Sequence, residues 1–478
     1  MRFKKVLFVN PPYSGTRVRA VFSAGLGYVA ESLKAAGIEY AVLDMSLGYT
    51  AGALKKKIKE FLPDLLAFSV MTYRYLETYG LINEIKKDLP SLKIVAGGPH
   101  ISLFREEAFA GCAGLDFGVV LEGEMTLVEL CKGAPLGDIK GLISRSHGRI
   151  VYNGDREFIK ELDALPFPTY EKFELERSIN KAVNALPVVS SRGCPFDCVY
   201  CPVKCSIGQA FRMRSPENII KELRYWYERG YERFSFADDN FTMDKARVER
   251  LCELIFKEGL KLKLSCDNGI RADRVDRKLL EYMKEAGFYR IAFGVEAGNN
   301  KVLKALSKKE DIETITGRIE ESCGLGYEVD LFFLVGSPQE TRQDLEDSFR
   351  IALGYPIGVA YFYNIIPFPH TPLFDWIKSH GRYLEDYREY LDRYPILDNR
   401  PLFETSDMSL KERRKALKDA FAITRLTMRR SWAKRLSGLG LLGRILSWAY
   451  TTSFIQDVIL RDRRLRYLTY KIAHMFVR

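Results

Sequence analysis

Three cysteines in one short loop constrain this chain more than anything else in it. The segment Ser191-Arg-Gly-Cys194-Pro-Phe-Asp-Cys198-Val-Tyr-Cys201-Pro spaces Cys194, Cys198 and Cys201 as C-x3-C-x2-C, directly after the β-rich run LPVVSS. A closed zinc site takes four nitrogen or sulfur ligands, commonly in C-x2-C pairs. Three thiolates in one loop instead leave one corner of an iron–sulfur cube without a protein ligand. Cys205, four residues on, could be a fourth ligand; a free thiol beside the cluster is the preferred reading. The chain has nine cysteines, and its opening apolar run is too short for a signal peptide. The thiols are therefore expected to be reduced, in a cytoplasmic protein, and available for metal or catalysis rather than disulfides.

Downstream of the triad, apolar runs recur at 187–190, 233–237, 262–266, 289–295, 328–335 and 360–366, joined by amphipathic stretches. Six such strand–helix units make three-quarters of a (β/α)8 barrel, whose functional groups project from strand C-termini. Polar residues stand there: Asp238-Asp239-Asn240, Asp267-Asn268 with Arg271, Glu296 and Gly336. One acidic residue at a strand end is usually a helix cap or turn residue. Four consecutive strands ending this way on one rim favour a ligand site.

The first 150 residues alternate short apolar runs (6–10, 40–44, 65–70, 93–98, 117–123) with helical patterns. This predicts a parallel sheet covered on both faces, with its ligand beyond the strand C-termini. Gly25-Leu-Gly27-Tyr-Val-Ala30 fits the dinucleotide pattern, and Asp44 ends the second run. About fifteen residues separate it from the end of the first strand, whereas the fingerprint needs its first glycine in the turn right after that strand. NAD is therefore not expected; the long loop leaves room for a bulkier ligand on the sheet edge.

Both halves resemble one family. The triad, with Tyr200 just before its third cysteine, resembles the radical S-adenosylmethionine (SAM) superfamily, where the open iron chelates SAM. Phe236-Ala-Asp-Asp-Asn-Phe-Thr242, Phe293-Gly-Val-Glu-Ala-Gly298 and Phe333-Leu-Val-Gly336-Ser-Pro-Gln-Glu340-Thr look like segments of its cobalamin-dependent members. The resemblance implies SAM contacts at Tyr200, Asp239, Asn240, Arg271, Glu296 and Gly336. Ala297 and Gln339 depart from the usual serine and glycine. At the strand ends of the first module, Ser69 and Thr72, the turn Gly97-Gly98-Pro99-His100, and Glu122-Gly123 resemble a cobalamin-binding domain. That family's D-x-H-x-x-G motif is absent, so cobalamin is expected without a protein histidine on cobalt.

The resemblance covers roughly residues 1–375. It implies an α/β chain: a Rossmann-like cobalamin domain (1–140), a linker (141–185) and a partial radical SAM barrel (186–375); after Pro372 the residue pattern turns helical, which predicts a helical C-terminal region (376–478). The implied cofactors are a 4Fe-4S cluster, SAM and cobalamin, with a flavodoxin- or ferredoxin-like protein as external electron donor. The implied reaction is C-methylation of an unactivated carbon in a small molecule, through a 5′-deoxyadenosyl radical and methylcobalamin. A ring-forming or rearranging enzyme using the same cofactors stays open. A tRNA methylthiotransferase needs a second cysteine trio, and the first 150 residues hold only Cys112 and Cys131. A cobalamin sensor would not need the triad. No single residue is identified as catalytic.

Charge adds one more expectation. From Arg425 to Arg478 there are twelve Lys or Arg against two Asp, so this tail holds ten of the net +11. A basic tail on a neutral body suits a local surface rather than nucleic acid, for which no binding module is visible. Interleaved with Trp432, Trp448 and Tyr450, it suggests peripheral contact with an anionic membrane and a lipid or other apolar substrate; a core-packed helix with a solvated basic face is the competing reading.

Overall fold

A computed structural model describes residues 2–11, 22–146, 148–179, 181, 184–393, 396 and 400–452. Residues 12–21 and the second half of the basic tail, 453–478, lie outside the described residues.

The apolar runs of the first module form β1 (Lys5–Asn10), β2 (Glu39–Asp44), β3 (Leu65–Ser69), β4 (Lys93–Gly97) and β5 (Phe117–Val119). They pair in parallel in the order β2-β1-β3-β4-β5. From Val6 to Asn10 every residue of β1 is buried, as a strand covered on both faces requires. The sheet does not stop at 140. β6 (Leu142–Ser146) and β7 (Arg149–Tyr152) add two antiparallel edge strands, so part of the segment read as linker belongs to this domain. The glycines of the rejected dinucleotide pattern lie inside the Ala24–Ala35 helix. Gly27 serves packing: a Cβ there would stand 2.3 Å from the Tyr170 ring of the connecting segment.

The second sheet holds β8 (Leu186–Val188), β11 (Arg233–Phe236), β12 (Lys263–Ile270), β13 (Phe288–Glu296), β14 (Glu328–Val335) and β15 (Ala360–Asn364). All pair in parallel in the order β15-β14-β13-β12-β11-β8, which is the partial barrel expected. Between β8 and β11, β9 (Ser191–Arg192) and β10 (Arg212–Met213) form a short antiparallel pair flanking the cysteine loop.

The C-terminal region is less separate than its sequence suggests. It contains a small pair, β16 (Gly381–Tyr383) with β17 (Phe403–Thr405), and the 26-residue helix Leu410–Arg435. That helix covers the open barrel edge: Thr427 Oγ1 accepts the Ala360 N–H at 3.1 Å and Thr424 Oγ1 the Phe362 N–H at 3.2 Å. Edge-strand donors that would otherwise template aggregation are thereby satisfied. The helix's last turn pairs Arg435 with Glu328 at the start of β14. The N-terminal part of the basic segment therefore belongs to the barrel's packing.

Candidate functional site

The cysteine loop is held from several sides. Cys194 N–H donates to the Gly208 carbonyl (3.3 Å), Val199 N–H to Leu306 (3.1 Å) and Cys201 N–H to Cys198 (3.1 Å). Gly193, with φ 85°, is needed because a Cβ would lie 2.3 Å from the Ala210 carbonyl oxygen. Burial raises all three thiols, Cys201 to about 12; charge on Cys194 raises Cys198, and charge on either raises Cys201 further. Such thiols ionise only when a strong cation compensates them. Among the described residues no three His, Cys, Asp or Glu side chains are arranged around one ion. Three thiols on a single loop suit a cluster that keeps one iron without a protein ligand. Cys205 lies on a separate short turn, Val203–Ser206, with Sγ 3.8 Å from the His370 carbonyl oxygen.

The strand ends converge on this loop. Asp238 is fully buried and accepts from Ser190 N–H (2.6 Å), Ser190 Oγ (2.5 Å) and Ser191 Oγ (2.6 Å). Its neighbour Asp239 stays half-buried, and burial with the Asp238 charge pushes its carboxyl up to about 6. Asn240 is buried, and its Oδ1 meets no donor, as does Thr242 Oγ1. Orphaned acceptors at a rim fit a ligand that brings donors, as the SAM amino group does.

Arg271 departs from expectation. Its guanidinium lies 3.6 Å above the Phe196 ring, and its N–H groups go to Asp273 and to the carbonyls of Lys308 and Lys309. It buttresses the cysteine loop and has little left for a SAM carboxylate. Glu296, in a left-handed conformation (φ 65°), takes Lys308 Nζ at 3.1 Å, and Glu310 lies 3.5 Å from the same ammonium. Burial works against the Lys308 charge, but the two carboxylates hold its pKa above the usual lysine value. The sequence reading missed Lys308 and Glu310, and only a Lys-Lys-Glu run marks them. Tyr200 lies beside Glu296, its phenol raised by burial and then by that carboxylate. Gly336 (φ 98°) lets the Arg413 guanidinium of the C-terminal helix approach, since a Cβ would stand 2.1 Å from Nη1.

A cavity of about 380 Å3 opens between the two sheets' C-terminal edges. Ser69, Gly97, Gly98, Pro99, Glu122 and Gly123 line it from the first domain; Ser191, Arg192, Ala237 and Asp239 line it from the barrel. Gly98, with φ 102°, leaves the backbone bare where a Cβ would press to 3.0 Å from the Val70 carbonyl. A broad, largely apolar ledge with bare glycines fits a flat macrocycle on the sheet edge.

Thr72 and His100 do not line this cavity. His100 is buried among aromatic side chains, stacked on Tyr75 at 4.3 Å with Nε2 2.9 Å from the Tyr79 hydroxyl. Burial lowers its pKa to about 3. In the helical turn Pro99–Phe104 the ring packs on aromatic side chains outside the cavity lining, which corrects its assignment as a cobalamin contact.

The triad leads to an expected outcome. After anaerobic reconstitution, the variant with Cys194, Cys198 and Cys201 all replaced by Ala should lose its cluster iron and its visible charge-transfer absorption. Cys205→Ala should retain at least ~80% of wild-type iron, as a free thiol should. Iron analysis beside the visible spectrum checks both.

Comparison with known proteins agrees with this geometry. The Radical SAM superfamily profile matches residues 188–352, and the B12 binding domain profile matches 15–131. An uncharacterised methyltransferase of Pyrococcus horikoshii is 28% identical across 83% of this chain and 88% of its own length. An anaerobic magnesium-protoporphyrin IX monomethyl ester cyclase of Cereibacter sphaeroides is 27% identical across 83% of this chain and 67% of its own. In fold, the chain superposes on the radical SAM methyltransferase TsrM of Kitasatospora setae, solved with cobalamin and a [4Fe-4S] cluster. The TM-score is 0.73 at 18% identity, covering 98% of this chain and 100% of that one. The B12 binding profile over the first domain, followed by the radical SAM profile over the barrel and its three-cysteine loop, places the chain in the cobalamin-dependent radical SAM enzymes.

Proposed function

We propose that this enzyme methylates an unactivated carbon of a small molecule. The observation that carries the reading is the single cavity walled by both the glycine ledge and the cysteine-loop rim. When bound, the cluster, SAM and cobalamin would supply the reducing electron, the radical source and the methyl carrier. The protein's task is positional. Cys194, Cys198 and Cys201 would hold the cluster and leave one iron open. Asp239 and Asn240 would face the SAM amino group, and Glu296, steadied by Lys308, the ribose hydroxyls. Gly97 and Gly98 would let the cobalamin ring lie close to the backbone. Placing two reactive groups on opposite walls of one small cavity fixes the substrate carbon between them and limits water access. The reducing electron would come from an external one-electron donor protein, as the match to the radical SAM superfamily implies. The P. horikoshii relative's name supports methylation; the C. sphaeroides cyclase keeps ring formation as the second reading.

The test uses protein reconstituted with iron, sulfide and hydroxocobalamin, given trideuteromethyl-SAM, a reductant and a small-molecule extract. Methylation predicts that both 5′-deoxyadenosine and S-adenosylhomocysteine form, with a trideuteromethyl mass shift on one extract component. Deoxyadenosine without S-adenosylhomocysteine would replace methylation by the ring-forming reading.

Among the described residues no helix is long and apolar enough to cross a membrane. We infer instead that the helix Gly440–Tyr450 rests on an anionic membrane surface. Gly443 and Ser447 are buried toward the preceding helix, and a Cβ on Gly443 would stand 2.1 Å from the Leu436 carbonyl oxygen. The opposite side exposes Leu441 (73%), Leu442 (56%), Ile445 (54%) and Trp448 (56%), with Arg444 among them. An exposed apolar row with a cation among it suits in-plane insertion and would bring the barrel near a lipid-borne or other apolar substrate. Full-length protein should sediment with phosphatidylglycerol-rich vesicles, and the triple variant Leu441→Ser, Leu442→Ser, Trp448→Ser should sediment at least ~tenfold less with its cofactor content unchanged. Equal sedimentation of the two proteins would defeat the inference.

A further inference from the structure

The two cofactor domains meet through a compact group of buried ions on the cavity wall. Arg192, two residues before Cys194, gives Nη1 to Glu122 Oε1 at 2.9 Å and Nη2 to Glu124 Oε1 at 2.6 Å. Arg212, its pairing partner across β9 and β10, gives Nη1 to the same Glu122 oxygen at 2.7 Å. The remaining Glu122 oxygen accepts the Ile159 N–H at 2.8 Å. The four side chains are only 4% to 12% exposed. The flat face of Arg192 lies 5.0 Å from the Tyr28 ring, whose hydroxyl donates to the Val189 carbonyl at 3.1 Å. The carboxylates come from the turn after β5, beside the glycine ledge, and the arginines come from the cysteine-loop hairpin.

Burying such a group gains little stability, since desolvation roughly cancels the attraction. A planar fork bridging two carboxylates is instead strongly directional. Arg192 spans both acids at once, and it is the cavity-lining residue nearest the cysteine triad in sequence.

We propose that Arg192 is a positioning residue for the transfer: by bridging Glu122 and Glu124 it fixes the ledge at one separation from the cysteine loop. The inference rests on the reading that cobalamin and the cluster occupy these two walls. Arg192 touches no reacting atom in this account. Its loss should spread the spacing of the two centres while both remain bound.

Spacing can be read without any substrate. Full-length protein reconstituted with both cofactors and partly reduced carries two paramagnets, cob(II)alamin and the reduced cluster. Pulsed spin resonance then measures how strongly the cluster speeds cob(II)alamin relaxation. Wild type should show one narrow enhancement. Arg192→Met should shift it to weaker, dispersed values at unchanged iron and cobalt content, and Arg192→Lys, which keeps the charge without the fork, should fall between. Glu124→Gln, nearly isosteric, should broaden the distribution and decides the matter if the Met variant fails to load cobalamin. Loaded Arg192→Met or Glu124→Gln protein with the wild-type enhancement overturns the proposal. Wild-type protein that binds both cofactors but shows no enhancement overturns the shared-cavity reading instead.

Discussion

The site is assembled around one buried carboxylate. Asp238, at the end of β11, has no solvent-exposed side-chain surface and accepts three hydrogen bonds from Ser190 and Ser191. Arg247 closes the group by donating to the Ser190 carbonyl (2.8 Å) and the Phe241 carbonyl (2.8 Å). The node joins the first strand of the barrel, where the cysteine loop begins, to the second, which leads into Asp239 and Asn240. Each buried donor left unpaired would cost about 1–3 kcal/mol, so neither strand end can drift without breaking the other. Ser191 then leads into Arg192, whose bridge to Glu122 and Glu124 carries the same constraint into the first domain.

Much of this was legible in the sequence because it rests on local pattern. Strand runs buried on both faces, the C-x3-C-x2-C loop and polar residues at successive strand ends are all short-range signals, and each falls where the fold places it. What could not be read depends on long-range approach. Arg271 stands at the right strand end, yet Phe196, Asp273 and two lysine carbonyls consume it. His100 follows a glycine turn, yet in its proline-led helical turn it stacks on Tyr75 instead of lining the cavity. Lys308 is one lysine among many until the fold buries it between Glu296 and Glu310. Spacing in sequence says where a residue starts, and packing decides what its side chain meets.

The C-terminal region shows the same limit. Its basic composition from Arg425 on suited either a surface segment or a core-packed helix, and the first part packs: Thr427 satisfies a donor of the barrel's last strand and Arg435 pairs with Glu328. Cation-rich composition and structural packing coexist on the Leu410–Arg435 helix because its two faces have different tasks. The following helix buries the small residues Gly443 and Ser447 and exposes Leu441, Leu442, Ile445 and Trp448.

The central claim is that both metal centres look into one cavity. Anomalous scattering at the cobalt and iron edges, from crystals of the reconstituted full-length protein, tests it most directly. The account predicts cobalt over the Gly97–Gly98 ledge and iron at the Cys194–Cys201 loop, with Asp239 on the wall between them and no protein histidine on cobalt. Cobalt coordinated by His100, or bound away from the edge formed by Ser69, Gly98 and Glu122, would contradict it.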